Sequence, residues 1–113
     1  MSKNTVVIIN NNGMGQAETT LTHKLITSFL NMLDLGEKLP VAIGFYAEGV
    51  RLTVSGSPIL DELKSLEKKG VPLIVCTTCL NHFDIFNELQ VGTAAGMKEI
   101  VDAQWGADKV ITL

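Results

Sequence analysis

No run of this 113-residue sequence approaches the length of a membrane span. Its 9 basic and 12 acidic side chains are spread along the chain, without the basic cluster that neutralising nucleic-acid phosphates requires. A membrane-spanning segment and a nucleic-acid partner are therefore not expected. The opening Met1-Ser2-Lys3-Asn4 leads straight into the apolar run Thr5 to Ile9, which is too short for a secretory h-region and has no small-residue cleavage site after it. A cytoplasmic location is the expectation. Cysteine is scarce as well: the chain has only Cys76 and Cys79, and no second pair. In a reducing compartment two closely spaced thiols read as reactive or metal-binding rather than as a structural disulfide.

Apolar residues, in contrast, are plentiful. They make up 46% of the chain, and the mean hydropathy is positive, more than a small domain needs to fill its interior. Part of that surface is expected to meet another subunit, which makes a homo-oligomer the expected state. The length suits one compact domain, residues 1–113, with a single core.

Val6-Val7-Ile8-Ile9 is a continuous β-branched run, as in a strand buried on both faces of a parallel sheet. It stops at the turn-forming stretch Asn10 to Gly15. From Ala17 to Leu33, Leu21, Leu25, Phe29 and Leu33 recur every four positions, with Ile26, Leu30 and Met32 widening the stripe. This spacing predicts an amphipathic helix that closes near Gly36. Val41 to Tyr46 reads as a second buried strand, turned by Glu48-Gly49, while Val50 to Val54 fits either a short strand or an irregular turn. Ser57-Pro58 reads as a helix start and Lys68-Lys69-Gly70 as its close. Val71 to Cys76 gives a third strand, and Thr77 to about Phe86 a short helical segment. Leu89 to Gly92 reads as a fourth strand, with Thr93 capping a helix to Gln104 and Lys109 to Leu113 as the last strand. Trp105 is expected to pack. Strands alternating with helices imply right-handed βαβ units. The expected fold is thus α/β, a three-layer α/β/α sandwich with a mostly parallel sheet of about five strands. Reactive groups in such sheets gather at the carboxyl ends of the strands.

Cys76-Thr77-Thr78-Cys79 falls at that edge. One thiol ends a strand and the other begins a helix, whose free N–H groups favour a thiolate. Thiols three residues apart at a helix start can reach each other, so a persulfide or mixed disulfide on one is open to attack by the other. Against this stands the plain reading of two small buried residues in a tight turn. His82, one turn past Cys79, is in range to tune a thiol. A closed zinc site wants four ligands; Cys76, Cys79 and His82 make three, and His23 would have to arrive through the fold or another subunit. The protein is expected to fold without metal or a resident cofactor. A thioredoxin-like reductase also uses Cys-x-x-Cys, but after an early strand rather than the third. Gly13-Met14-Gly15 matches only two glycines of a dinucleotide fingerprint, with Glu18 where the third would stand, and reads as a tight turn.

Several stretches resemble the DsrE-like family, in particular the carboxyl-terminal domain of the selenium-metabolism-associated YedF proteins. They are the Val6 to Gly15 strand and loop, Phe45 to Thr53, Leu66 to Val71, Val75-Cys76-Thr77-Thr78-Cys79-Leu80, Val91-Gly92 and Met97. The resemblance covers nearly the whole chain and is most specific around the two cysteines. It implies an α/β/α sandwich, oligomeric assembly and sulfur carried as a cysteine persulfide, with Cys76 as carrier and Cys79 as its partner. A TusA-like sulfur carrier, which usually precedes this domain in YedF proteins, is the implied protein partner. The functional expectation is uptake of sulfane sulfur, or selenium, on the strand-end cysteine and its relay onward. The competing expectation is a non-enzymatic binding or scaffold subunit with a small-ligand or metal pocket at the sheet edge.

Overall fold

A computed structural model describes residues 4–36 and 38–113. Five strands, β1 (Thr5–Ile9), β2 (Ala42–Phe45), β3 (Leu73–Cys76), β4 (Thr93–Ala95) and β5 (Lys109–Thr112), form one sheet in the order β4-β3-β2-β1-β5. Every pairing is parallel, with Ile9 beside Phe45, Phe45 beside Val75 and Cys76 beside Ala95. Four helices alternate with the strands: α1 (Thr19–Leu35), α2 (Leu60–Lys68), α3 (Thr77–His82) and α4 (Met97–Gly106). The sequence-based fold class holds, and the sheet is wholly parallel.

Parallel strands need long crossovers, and right-handed crossovers decide which face each helix covers. The first three strands step in one direction, so α1 and α2 share a face and touch each other. Lys69 and the Ser65 hydroxyl of the α2 region both bind the Asp34 carboxylate of α1. They hold that carboxyl below its usual range. Helix α4 carries the chain back across the sheet from one edge to the other, packing on β3 and β4 from the opposite face. Between these layers Val6 to Ile9, Ala42, Ile43 and Phe45 are all buried. Each large apolar side chain so buried contributes roughly 1.5–3 kcal/mol. The continuous β-branched runs in the sequence reflect this two-sided covering.

Three sequence-based expectations change. In α1 the buried stripe is Thr22, Ile26 and Leu30, whereas Leu21 and Leu25 are 48% and 43% exposed. The helix carries two adjoining apolar stripes, and periodicity alone cannot say which faces the sheet. The fourth strand is Thr93–Ala95 rather than Leu89 to Gly92, and α4 is capped at Gly96 rather than Thr93. Leu89 only bridges Val54 in an antiparallel contact. Gly92, at φ +80°, turns the chain beside β3 where a Cβ would stand 2.9 Å from the Leu73 carbonyl oxygen. That turn delays the strand by a few residues. Trp105, finally, does not pack within the chain: it is 86% exposed and continues an uncovered stripe with Met97 and Val101 along α4.

The stretch left open between strand and turn is a 3₁₀ segment, Ala47–Thr53, followed by Val54 in its bridge to Leu89. Ser57 acts as foreseen at the approach to α2, its hydroxyl accepting from Ile59 N–H at 3.2 Å, although the helix begins only at Leu60. Among the described residues no helix is long and apolar enough to cross a membrane.

Candidate functional site

Strand β3 ends at Cys76, and the chain passes directly into α3, so Cys76 occupies the N-cap of that helix. A helix start leaves backbone donors without partners. One of them, Cys79 N–H, is taken by Cys76 Sγ at 3.4 Å. The Cys79 thiol donates to the same sulfur at 3.0 Å. Cys-x-x-Cys spacing is what permits this, since residues at the N-cap and three positions on face the same turn. Both cysteines are unbridged. Cys76 is only 2% exposed, whereas Cys79 is half-buried.

The second sulfur has a donor of its own, from a distant part of the chain. After β2, the 3₁₀ segment folds back over the carboxyl edge, where Ala47 N–H donates to Cys79 Sγ at 3.1 Å. Ala47 adopts φ +51°, a left-handed conformation that costs a non-glycine residue about 1–2 kcal/mol. Two residues on, Gly49 passes so close to β1 that a Cβ would stand 2.0 Å from the Ile9 carbonyl oxygen. Only glycine permits that approach. The segment also leans on α3 from outside: the Arg51 guanidinium lies 4.1 Å above the Phe83 ring and binds Glu48 at 2.6 Å. A cation–π contact of this exposed kind contributes roughly 0.5–1 kcal/mol.

Each sulfur therefore faces one backbone N–H, and the Cys79 thiol is directed at Cys76 Sγ. The arrangement suits a pair that shares one negative charge. Burial pushes the Cys79 thiol above its ordinary pKa, and the hydrogen bond to Cys76 adds to the rise, while the Ala47 N–H pulls it down. A thiol raised in the fold contributes stability that is present below its unfolded pKa and is lost as pH rises through the folded value.

The remaining sequence candidates fall elsewhere. His82 is exposed and meets Phe83 edge-on, with ring centroids 5.2 Å apart. Among the described residues no hydrogen bond joins it to either sulfur. His23 sits on α1, where its buried Nε2 has no hydrogen-bond partner among the described residues. It lines a cleft of about 270 Å³ with Asn12, Arg51, Ser55, Ser57 and Glu88, and this cleft includes neither cysteine. No group of three or more His, Cys, Asp or Glu side chains among the described residues is arranged to hold a metal ion. Sequence reasoning missed Ala47, whose contribution is a backbone group. The only signal in the sequence was Glu48-Gly49, marking a turn after β2.

A model of the DsrE/DsrF-like family matches residues 3–113. This chain belongs to that family. The family is associated with sulfur relay. Solved structures agree on its fold. The ychN protein from E. coli superposes with a TM-score of 0.74 at 21% identity, over 100% of both chains. MTH1491 from Methanobacterium thermoautotrophicum, described as a protein of unknown function, gives 0.67 at 21% identity over 96% of this chain and 97% of its own. BT1422 from Bacteroides thetaiotaomicron, described in the same way, gives 0.66 at 12% identity over 97% and 95%. No curated protein matches the chain.

In Cys76→Ala the partner sulfur is gone, so Cys79 should alkylate with iodoacetamide at a lower pH than in the wild type, followed on the Cys79 peptide by mass spectrometry. An unchanged or higher midpoint would mean that Cys76 does not hold the Cys79 proton.

Proposed function

We propose that this chain takes up sulfane sulfur, or selenium, as a persulfide at the Cys76/Cys79 pair and passes it to an acceptor thiol. The observation that carries the reading is the 3.0 Å contact between two unbridged sulfurs, each facing a backbone N–H, at the carboxyl edge of the sheet. Family membership supports it. Accessibility divides the work between the two thiols. Attack on an external donor requires a sulfur that the donor can reach. Half-buried Cys79 suits that task better than Cys76, which is 2% exposed. The carrier role is thereby assigned to Cys79 rather than to the strand-end Cys76 that the family resemblance implied.

Loading starts when the Cys79 thiol gives up its proton to solvent, with Ala47 N–H donating to the sulfur that then attacks. Attack on the outer sulfur of a hydropersulfide R–S–SH forms Cys79–S–SH and releases R–S⁻. The acceptor is a protein thiol of the TusA-like kind. The alternative, a binding subunit with incidental cysteines, would use the cleft around His23 and Arg51.

Loading is tested with cysteine hydropersulfide, trapping with iodoacetamide and peptide mass spectrometry. Cys79→Ser should lose the added sulfur and Cys76→Ser should retain it. Loading that survives in Cys79→Ser at the wild-type level rules out Cys79 as carrier, and loading absent from all three proteins favours the binding subunit.

We also propose that copies of the chain associate through the exposed stripes on α1 and α4, which include Leu21, Leu25, Met97, Val101 and Trp105. Sedimentation velocity at micromolar concentration should show a species heavier than 12.2 kDa. Trp105 is the single tryptophan, so its emission should shift to the blue as concentration rises. A clean monomer with unchanged emission would contradict the assembly.

A further inference from the structure

We infer that the pair also discharges its sulfur by itself: Cys76 attacks the persulfide on Cys79 and expels the carried sulfur as hydrosulfide. This rests on the persulfide reading above and adds a second fate for the stored atom. The geometry that points to it is the identity of the sulfur that Cys76 faces. Cys76 Sγ lies 3.0 Å from Cys79 Sγ, and in Cys79–S–SH that atom is the inner sulfur. The terminal sulfur extends a further bond of about 2.05 Å. Cys76 is enclosed, and half-buried Cys79 is the more exposed of the two. Attack on the inner sulfur therefore drives the leaving atom outward, in line with the bond that breaks.

The step balances without a further oxidant. Cys76–S⁻ forms a bond to Cys79 Sγ, the Cys79–S bond to the terminal sulfur breaks with its electron pair, and HS⁻ departs. The Cys76 proton has passed to the R–S⁻ released on loading. Sulfane sulfur is reduced by two electrons to sulfide, and the two thiols are oxidised to a disulfide. N-cap and third-position cysteines have the short separation that such a bond requires. A low-molecular-weight thiol then restores the pair: two R′SH give R′S–SR′ and the free dithiol. Protein acceptor and Cys76 thus compete for one stored sulfur, and loaded protein that meets no acceptor empties itself as sulfide.

The test is a single turnover of reduced, desalted full-length protein with one equivalent of cysteine hydropersulfide. Hydrosulfide is measured with a sulfide electrode and the chain by intact mass, with the Cys76→Ser/Cys79→Ser double variant correcting for spontaneous sulfide. Wild type should release about one hydrosulfide per chain and lose about 2 Da as the disulfide forms. Cys76→Ser should gain about 32 Da and release no burst. Wild type that keeps the added mass, forms no disulfide and releases no sulfide overturns the discharge but leaves the carrier reading standing. Failure of wild type and Cys76→Ser alike to gain sulfur or release sulfide removes the carrier reading and the discharge with it. Loading in Cys79→Ser but not in Cys76→Ser reverses the two roles and overturns the step as written.

Discussion

After β2 the chain has to double back across the end of β1, and it does so with Gly49 against the Ile9 carbonyl, where a Cβ would lie 2.0 Å from the oxygen. This close crossing keeps the 3₁₀ segment low over the carboxyl edge. From there Ala47 N–H reaches Cys79, and Arg51 reaches the Phe83 ring at the end of α3. The site is thus made of two pieces distant in sequence. β3 and α3 supply the sulfurs and one donor; the segment after β2 supplies the other donor. An αL residue at Ala47 is the strain that the crossing imposes, and the docked segment holds it in place.

Such an arrangement separates two properties that one cysteine cannot combine. A carrier thiol must be reachable by bulky donors and acceptors, while an internal nucleophile is best shielded from them. Half-buried Cys79 and enclosed Cys76 divide these properties across a 3.0 Å contact. Burial and the hydrogen bond to Cys76 hold the proton on Cys79, so two like charges do not form side by side.

Four of the five strands, the alternation with helices and the location of the cysteines were legible, because buried β-branched runs and a Cys-x-x-Cys pair leave direct marks in a sequence. The side of α1 that meets the sheet was not. Leu21-Leu25 and Ile26-Leu30 are equally apolar, and only the first pair is exposed. The same ambiguity hid the exposure of Trp105, whose indole continues the Met97-Val101 stripe. β4 was displaced because Leu89 and Val91 look more strand-like than Thr93-Ala94-Ala95, yet Gly92 postpones pairing until after its turn. The hydrogen bond to Cys79 was invisible for a simpler reason: a backbone N–H has no side chain to announce it. The shared fold with relatives only 12–21% identical fits this pattern, since buried periodicity survives changes that redraw an edge.

The division of labour between the sulfurs is tested most directly by a high-resolution crystal structure of the Cys76→Ser variant after exposure to cysteine hydropersulfide. The expected map shows one added sulfur about 2 Å from Cys79 Sγ, directed toward solvent, with Ala47 N–H still donating to the inner sulfur. A map in which Cys79 stays bare under conditions that load the wild-type protein would contradict it.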